Sequence, residues 1–317
     1  MENYDTKEAG ICIAKWVEAM KTEGKSGDEY TITAVDVDLD KISVSHTGVP
    51  PAWKAVLKGS QGRQEAIFTM IGAIINKDLP PANSANISRH RLNMATQRVT
   101  LVGFGSAAFE QGIQKLFDVS DKVNHQFAED SVALWAVNKG EHGLMVESGC
   151  RYFTMGHSIP EDAKVAFSNK VDLENVLGKF LSNSISHCED NDVEYLELKN
   201  SKVIRKAPVG FRVGDIVQVG VSICVFKCSK MGETPRFTCK LVLRSVTLLD
   251  ISITKQAQML RLERLKSDTR AVLPAQAFKR NCAYVDSDSD DEGLPTTRQR
   301  MGELTIGDVE MNGSKSG

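Results

Sequence analysis

Three groups of residues in this chain of 317 residues have types and spacings that chemistry uses. The first is Gly103-Phe104-Gly105-Ser106-Ala107-Ala108, which follows the apolar run VTLV at residues 99–102 and precedes a segment of helical character. Glycines between a strand and a helix let a pyrophosphate approach backbone N–H groups, as a dinucleotide site requires. The same site needs a second strand ending in an acidic residue about 20 residues on. Residues 116–130 are polar and read as helix or loop. A turn built on two glycines is the simpler reading, and a nucleotide-dependent enzyme at Gly103 and Gly105 stands as a third functional alternative.

The second group is acidic or thiol-bearing. Asp36, Asp38 and Asp40 alternate, so on a strand their carboxylates share a face that could hold a divalent cation. An EF-hand loop fails there, because Lys41 stands at the turn-glycine position and Thr47 at the bidentate glutamate position. The acidic segment near the C-terminus fails the same test, with Gln299 at the glutamate position if Gly293 is the turn glycine. A solvated strand face is expected for the three aspartates. Cys224 and Cys228 share one face of a strand and Cys239 lies on its return partner, but zinc knuckles hold their ligands on tight turns at closer spacing. Buried thiols are expected instead. His187-Cys188 has no nucleophile context, and His125, His142 and His157 have no metal spacing. No Walker A loop, hydrolase elbow, zincin helix or kinase set occurs. The expectation is a binder without metal or cofactor, rather than an enzyme.

The third group is cationic and aromatic. Arg89, His90, Arg91 and Arg98 form one basic stretch, Arg205, Lys206 and Arg212 a second, and Arg236, Lys240 and Arg244 a third. If these segments are neighbours they line one groove that neutralises phosphates, beside which Phe211, Phe226 and Phe237 offer stacking faces to bases. The predicted nucleic-acid-binding set is therefore Arg89, Arg91, Arg98, Phe211, Arg212, Arg236, Phe237, Lys240 and Arg244. The competing reading buries the phenylalanines and leaves the charges to keep the surface hydrated. A tail containing DSDSDDEG at residues 286–293 would lie in such a groove or recruit a basic partner. Ser287 and Ser289, each followed three residues on by an acid, resemble acidophilic-kinase sites.

The elements that must position these groups follow from periodicity. Residues 7–21 set Ile11, Trp16, Val17 and Met20 near helical spacing, and residues 30–45 alternate as two short strands. Residues 64–75 read as a buried helix, 77–86 as an exposed loop, and 99–102 as a strand. A helix follows Ser106, with strands near residues 132–137 and 143–155. Residues 172–181 read as a helix with acids in its first turn. The clearest unit is a β-hairpin over residues 210–250, launched by a Gly-Asp turn. A basic amphipathic helix over residues 254–266 closes the ordered body.

Composition sets the outer limits. The chain is 41% hydrophobic and 25% charged, with a formal net charge of -2 and seven cysteines. This is an ordinary globular balance, large enough to bury a core without staples. An odd, scattered cysteine count and no leader-like opening point to an intracellular protein, cytoplasmic or nuclear. No apolar run is long enough to cross a bilayer, so no membrane partner is expected. Beyond residue 271 the apolar content falls away, and a disordered acidic tail is expected.

The string FRVGDIV at residues 211–217, followed by LVLRSVTLLD at 241–250, resembles a signature of an uncharacterised protein family of mushroom-forming fungi. The resemblance implies no activity. The same strands look like the long curved strands of oligonucleotide-binding (OB) barrels, including single-strand DNA-binding proteins. The resulting expectation is an α+β body over residues 1–270, with 1–87 and 88–270 as sub-domains in one version, followed by a tail over 271–317. Its sheet is antiparallel or a partly open OB-like barrel with flanking helices. The leading function is single-stranded nucleic-acid binding through a basic and aromatic sheet face. The alternative is a protein-interaction module using the sheet edge or the acidic tail, with a basic protein as the tail's partner.

Overall fold

A computed structural model describes residues 3–23, 31–33, 37–48, 50–59, 62–82, 87, 89–156, 159–228 and 236–270. Two units divide the chain, Met1–Asp268 and Thr269–Gly317. Ser287, Ser289, Asp36 and His157 lie outside the described residues.

Helix α1 (Thr6–Glu23) opens on Asp5, whose carboxylate accepts the N–H groups of Lys7 and Glu8, satisfying donors the first turn leaves over. It buries Ala9, Ile13 and Val17, four residues apart and hence on one face, while the expected Ile11 is exposed. The strands follow as β1 (Thr31–Thr33), β2 (Ile42–Gly48), β3 (Pro51–Gly59), β4 (Gly62–Glu65), β5 (Ile67–Asp78) and β6 (Thr96–Val102). Helix α2 (Ala107–Asn124) precedes β7 (Val132–Ala133), β8 (Asn138–Gly140), β9 (Gly143–Arg151), β10 (Thr154–Met155) and β11 (Ile185–Ser186). The chain continues through β12 (Glu194–Lys199), β13 (Lys202–Arg205), β14 (Ile216–Lys227), β15 (Phe237–Asp250) and helix α3 (Ser252–Arg270).

Thirteen strands form one sheet with the path β13-β12-β15-β14-β5-β6-β9-β8. Strands β2, β3 and β4 branch from β14, β1 pairs with β5, and β7 with β15. Most pairs are antiparallel; β1 on β5, β12 on β15 and β7 on β15 are parallel. The two ends of the path do not pair with one another, so the sheet is open. Strands on either side of residue 87 meet in it, through the pairing of β5 with β6. No helix among the described residues is long and apolar enough to cross a membrane.

Two expected helices are corrected. The segment over residues 64–75 is the end of β4 and most of strand β5, which is buried without a break from Phe68 to Ile74. Ile71 and Ala73 pack towards α1, while Phe68, Met70 and Ile74 join the main core with α2. A strand covered on both faces loses its alternation and mimics a buried helix. Residues 172–181 form turns ending in a short 3₁₀ helix, Gly178–Phe180. Asp172 accepts the N–H groups of Val176, Leu177 and Gly178, and Asn175 adopts a left-handed φ of 51°. A carboxylate that closes a local turn competes with the helix it would otherwise start.

Candidate interaction surface

Arg244 heads the sequence-predicted phosphate contacts, and the fold buries it. Its guanidinium side chain is 10% exposed. It donates from Nε to Glu65 Oε1 (3.1 Å) and Ser222 Oγ (2.9 Å), and from Nη1 to the Asp190 carbonyl (2.6 Å). Its Nη2 reaches Glu65 Oε1 at 2.5 Å and Asp190 Oδ1 at 3.1 Å. Lys54 joins the same two carboxylates, at 3.4 Å from Glu65 Oε2 and 2.5 Å from Asp190 Oδ1. Two cations meet two anions, so no charge is left over for a phosphate. Burial alone would raise the Glu65 pKa, but Arg244 and Lys54 outweigh it and hold the carboxyl below its ordinary 4.5.

Phe211 is likewise core, 1% exposed and 6.0 Å from the Tyr195 ring. It precedes the Gly-Asp turn, where Gly214 takes a φ of 99° and Asp215 accepts the Arg212 N–H. Phe237 is half-buried and lies 5.3 Å from Trp53 and 4.9 Å from Phe127, so it belongs to an aromatic cluster. Arg212 donates to Gln258 on α3 (2.9 Å). Arg236 is exposed at the far end of the hairpin, about 36 Å away at the rise of a strand the length of β14, and Lys240 is exposed opposite Cys224, about 26 Å along it. Partial burial and the neighbouring Arg151 push the Lys240 pKa down. Arg98 is exposed beside Asp78 (3.8 Å). Arg91 is exposed in the 3₁₀ segment Arg89–Met94, and the Arg89 side chain lies outside the described residues. Arg244 and Phe211 are thus buried, Phe237 packs among other rings and Arg212 turns to α3, so these four do not line one open groove.

The other motifs also resolve locally. The Gly103 turn does join a strand to a helix, β6 to α2, but β6 runs antiparallel between β5 and β9. Gly105 takes a φ of 78°, and a Cβ on Gly103 would stand 2.5 Å from the Phe109 ring. Asp38 and Asp40 sit at a 3₁₀ turn, Leu39–Lys41, where Asp38 accepts the Asp40 N–H, so they do not alternate along a strand. Cys224 is buried opposite Lys240, whereas Cys239 lies opposite Val225 and therefore on the other face. Cys228 is exposed. Among the described residues no three His, Cys, Asp or Glu side chains gather to hold a metal.

His187 is buried with Nδ1 2.9 Å from the Tyr152 carbonyl, and its ring stacks 4.0 Å from Phe167. Burial pushes its pKa below the ordinary 6.5. The unfolded chain therefore binds the proton first, so this contribution is full above about pH 6.5 and is lost as the pH falls below it. We expect the thermal midpoint to drop on acidification through that region, with a shallower slope in His187→Phe; equal slopes in scanning calorimetry would refute it.

What the fold exposes lies elsewhere. Fourteen large apolar side chains stand exposed among the described residues, and eight of them fall on β13, the following 3₁₀ turn Pro208–Gly210, the Gly-Asp turn and α3. They are Val203, Ile204, Val209, Val213, Met259, Leu260, Leu262 and Leu265. Val203 is 59% and Val209 68% exposed. These elements adjoin: Lys206, next after β13 (Lys202–Arg205), bonds β12 through Tyr195, and Arg212 bonds α3 through Gln258. Along α3, Ile253 and Thr254 are buried and residues 258–266 are exposed. The sequence signal for β13 is Asn200-Ser201 between two short runs, a hairpin mark. No protein-family model and no curated protein matches the chain.

Proposed function

We propose that this chain is a non-catalytic protein-interaction module whose contact surface is the β13 edge with the exposed apolar side chains of the adjoining turns and α3. The observation that carries this reading is the concentration of exposed Val203, Ile204, Val209, Val213, Met259, Leu260 and Leu262 on connected elements. Contiguous exposed apolar surface beyond single scattered residues marks interaction sites. The exposed Met259, Leu260 and Leu262 along α3 fit a role in which a partner covers that helix.

The nucleic-acid alternative, with the sheet acting as a partly open OB barrel, needs cations and free aromatic faces on one side. Arg244 is neutralised, Phe211 is core, and Arg212 and Arg236 sit at opposite ends of the hairpin, which is why the protein-interaction reading is preferred. Affinity capture from a lysate of the source cells, run with the full chain and with Val209→Asp/Leu262→Asp, tests the choice. Specific proteins held by the full chain should fall about tenfold with the variant, a loss of about 1.4 kcal/mol. Unchanged capture would refute the surface. Filter binding to a single-stranded oligonucleotide that weakens steeply with salt would favour the alternative.

A further inference from the structure

We infer that β13 is a docking edge for an extended acidic segment of a partner protein, which joins the sheet as one more strand. This rests on the interaction reading above and names the chemistry of the partner.

The backbone sets the geometry. Asn200 and Ser201 have φ of 51° and 59°, the conformation of a two-residue type I′ hairpin turn. In such a hairpin the flanking pair, here Lys199 and Lys202, exchanges ladder bonds, and every second residue does the same. Ile204 therefore bonds towards β12 opposite Glu197, and Lys206 N–H continues the ladder to the Tyr195 carbonyl at 2.8 Å. Val203 and Arg205 then aim their N–H and C=O groups away from β12. Strand β13 ends the sheet path, and no described strand pairs with its outer side. A row of outward donors and acceptors on an edge strand is a template for strand addition.

Side chains set the chemistry. Val203 lies opposite Leu198 and shares its face, which continues onto the cluster of α1, Ile216 and Leu249. Ile204 lies on the other face with Lys202. An added strand thus meets one exposed apolar side chain on each face. All four residues of β13 are exposed, and Lys199, Lys202 and Arg205 form no ion pair among the described residues. Glu197, the nearest carboxylate along β12, is held by Lys206 at 3.1 Å. The two charged side chains of β13 itself, Lys202 and Arg205, are both cationic. A second copy would set like charges side by side, which cross-strand pairing disfavours. A purely anionic polymer would answer the charge but leave Val203 and Ile204 uncovered. The complement is a strand that alternates carboxylate and β-branched apolar side chains.

The test is fluorescence anisotropy on the full chain with labelled peptides of about nine residues, near strand length. The probes are alternating Glu and Val, alternating Lys and Val, and Glu alone. Only the Glu/Val peptide should bind well. Val203→Pro removes an outward N–H and no ladder bond, and should weaken that binding about tenfold. Lys202→Glu/Arg205→Glu changes only exposed charges, guards against a misfolded proline variant, and should transfer preference to the Lys/Val peptide. No binding of the Glu/Val peptide, binding that neither variant alters, or equal binding of Glu alone would each overturn the proposal. If the peptide fails while Val209→Asp/Leu262→Asp still loses captured proteins, the docking edge is wrong and the module stands.

Discussion

Replacing Arg244 with methionine is expected to lower the free energy of unfolding by about 3–5 kcal/mol, the usual cost of removing one partner from a buried ion pair. The side chain is 10% exposed and satisfies Glu65, Ser222 and the Asp190 carbonyl together. Methionine fills much of the volume but leaves two carboxylates facing Lys54 alone. Lysine is expected to rescue little, because a single ammonium cannot reproduce the planar fork that reaches β4, β14 and the loop at Asp190 at once. Adding Glu65→Gln to Arg244→Met should recover part of the loss by removing the uncompensated anion. The same network makes acid sensitivity predictable in sign. Glu65 has its pKa held below 4.5, so its stabilisation is complete above that value and disappears as the pH falls through the lowered one. Urea unfolding measures all of this, and a loss under about 1 kcal/mol for Arg244→Met would place the guanidinium among ordinary surface ion pairs.

Arg244 also shows why the sequence misled. The residue lies 54 positions from Asp190 and 179 from Glu65, and nothing in LVLRSV distinguishes a solvated arginine from one neutralised by distant acids. The hairpin around it was readable, because β14 and β15 are long, rich in β-branched residues and opened by a Gly-Asp turn whose geometry is local. Strand β5 was not, since its burial on both faces erased the alternation on which the distinction depends. The surface at β13 is harder still. A hairpin can be guessed from Asn200-Ser201, but the exposure of Val203 and Ile204 follows from β12 lying near the end of the sheet path, which is a fact of topology. Phe211 and Phe237 fail as stacking faces for a related reason: aromatic side chains carry the largest apolar area, and a core or another ring claims them first.

Truncating Phe109 to alanine is expected to cost about 3–5 kcal/mol, as large-to-small changes at filled core sites do. The ring is 1% exposed and is wedged between β5 and the turn after β6. A Cβ on Gly72 would come within 2.9 Å of it, and one on Gly103 within 2.5 Å. Those glycines are therefore small because Phe109 is large. It follows that Gly103→Ala should destabilise the native chain by about 1–3 kcal/mol, the usual cost of overpacking. In the Phe109→Ala background, where the ring contacts are gone and the 2.6 Å contact with the residue-109 Cβ remains, the same change should cost less. The coupling in this cycle separates packing from chemistry, since a glycine kept for a bound pyrophosphate would show no dependence on residue 109 when no ligand is present. Gly105 provides the contrast, because its Cβ would meet nothing within 4 Å and its φ of 78° makes any cost conformational. Gly105→Ala should therefore lose similar stability in both backgrounds. A dinucleotide that raised the thermal midpoint of the full chain but not of Gly105→Ala would reverse this assignment and return the turn to phosphate binding.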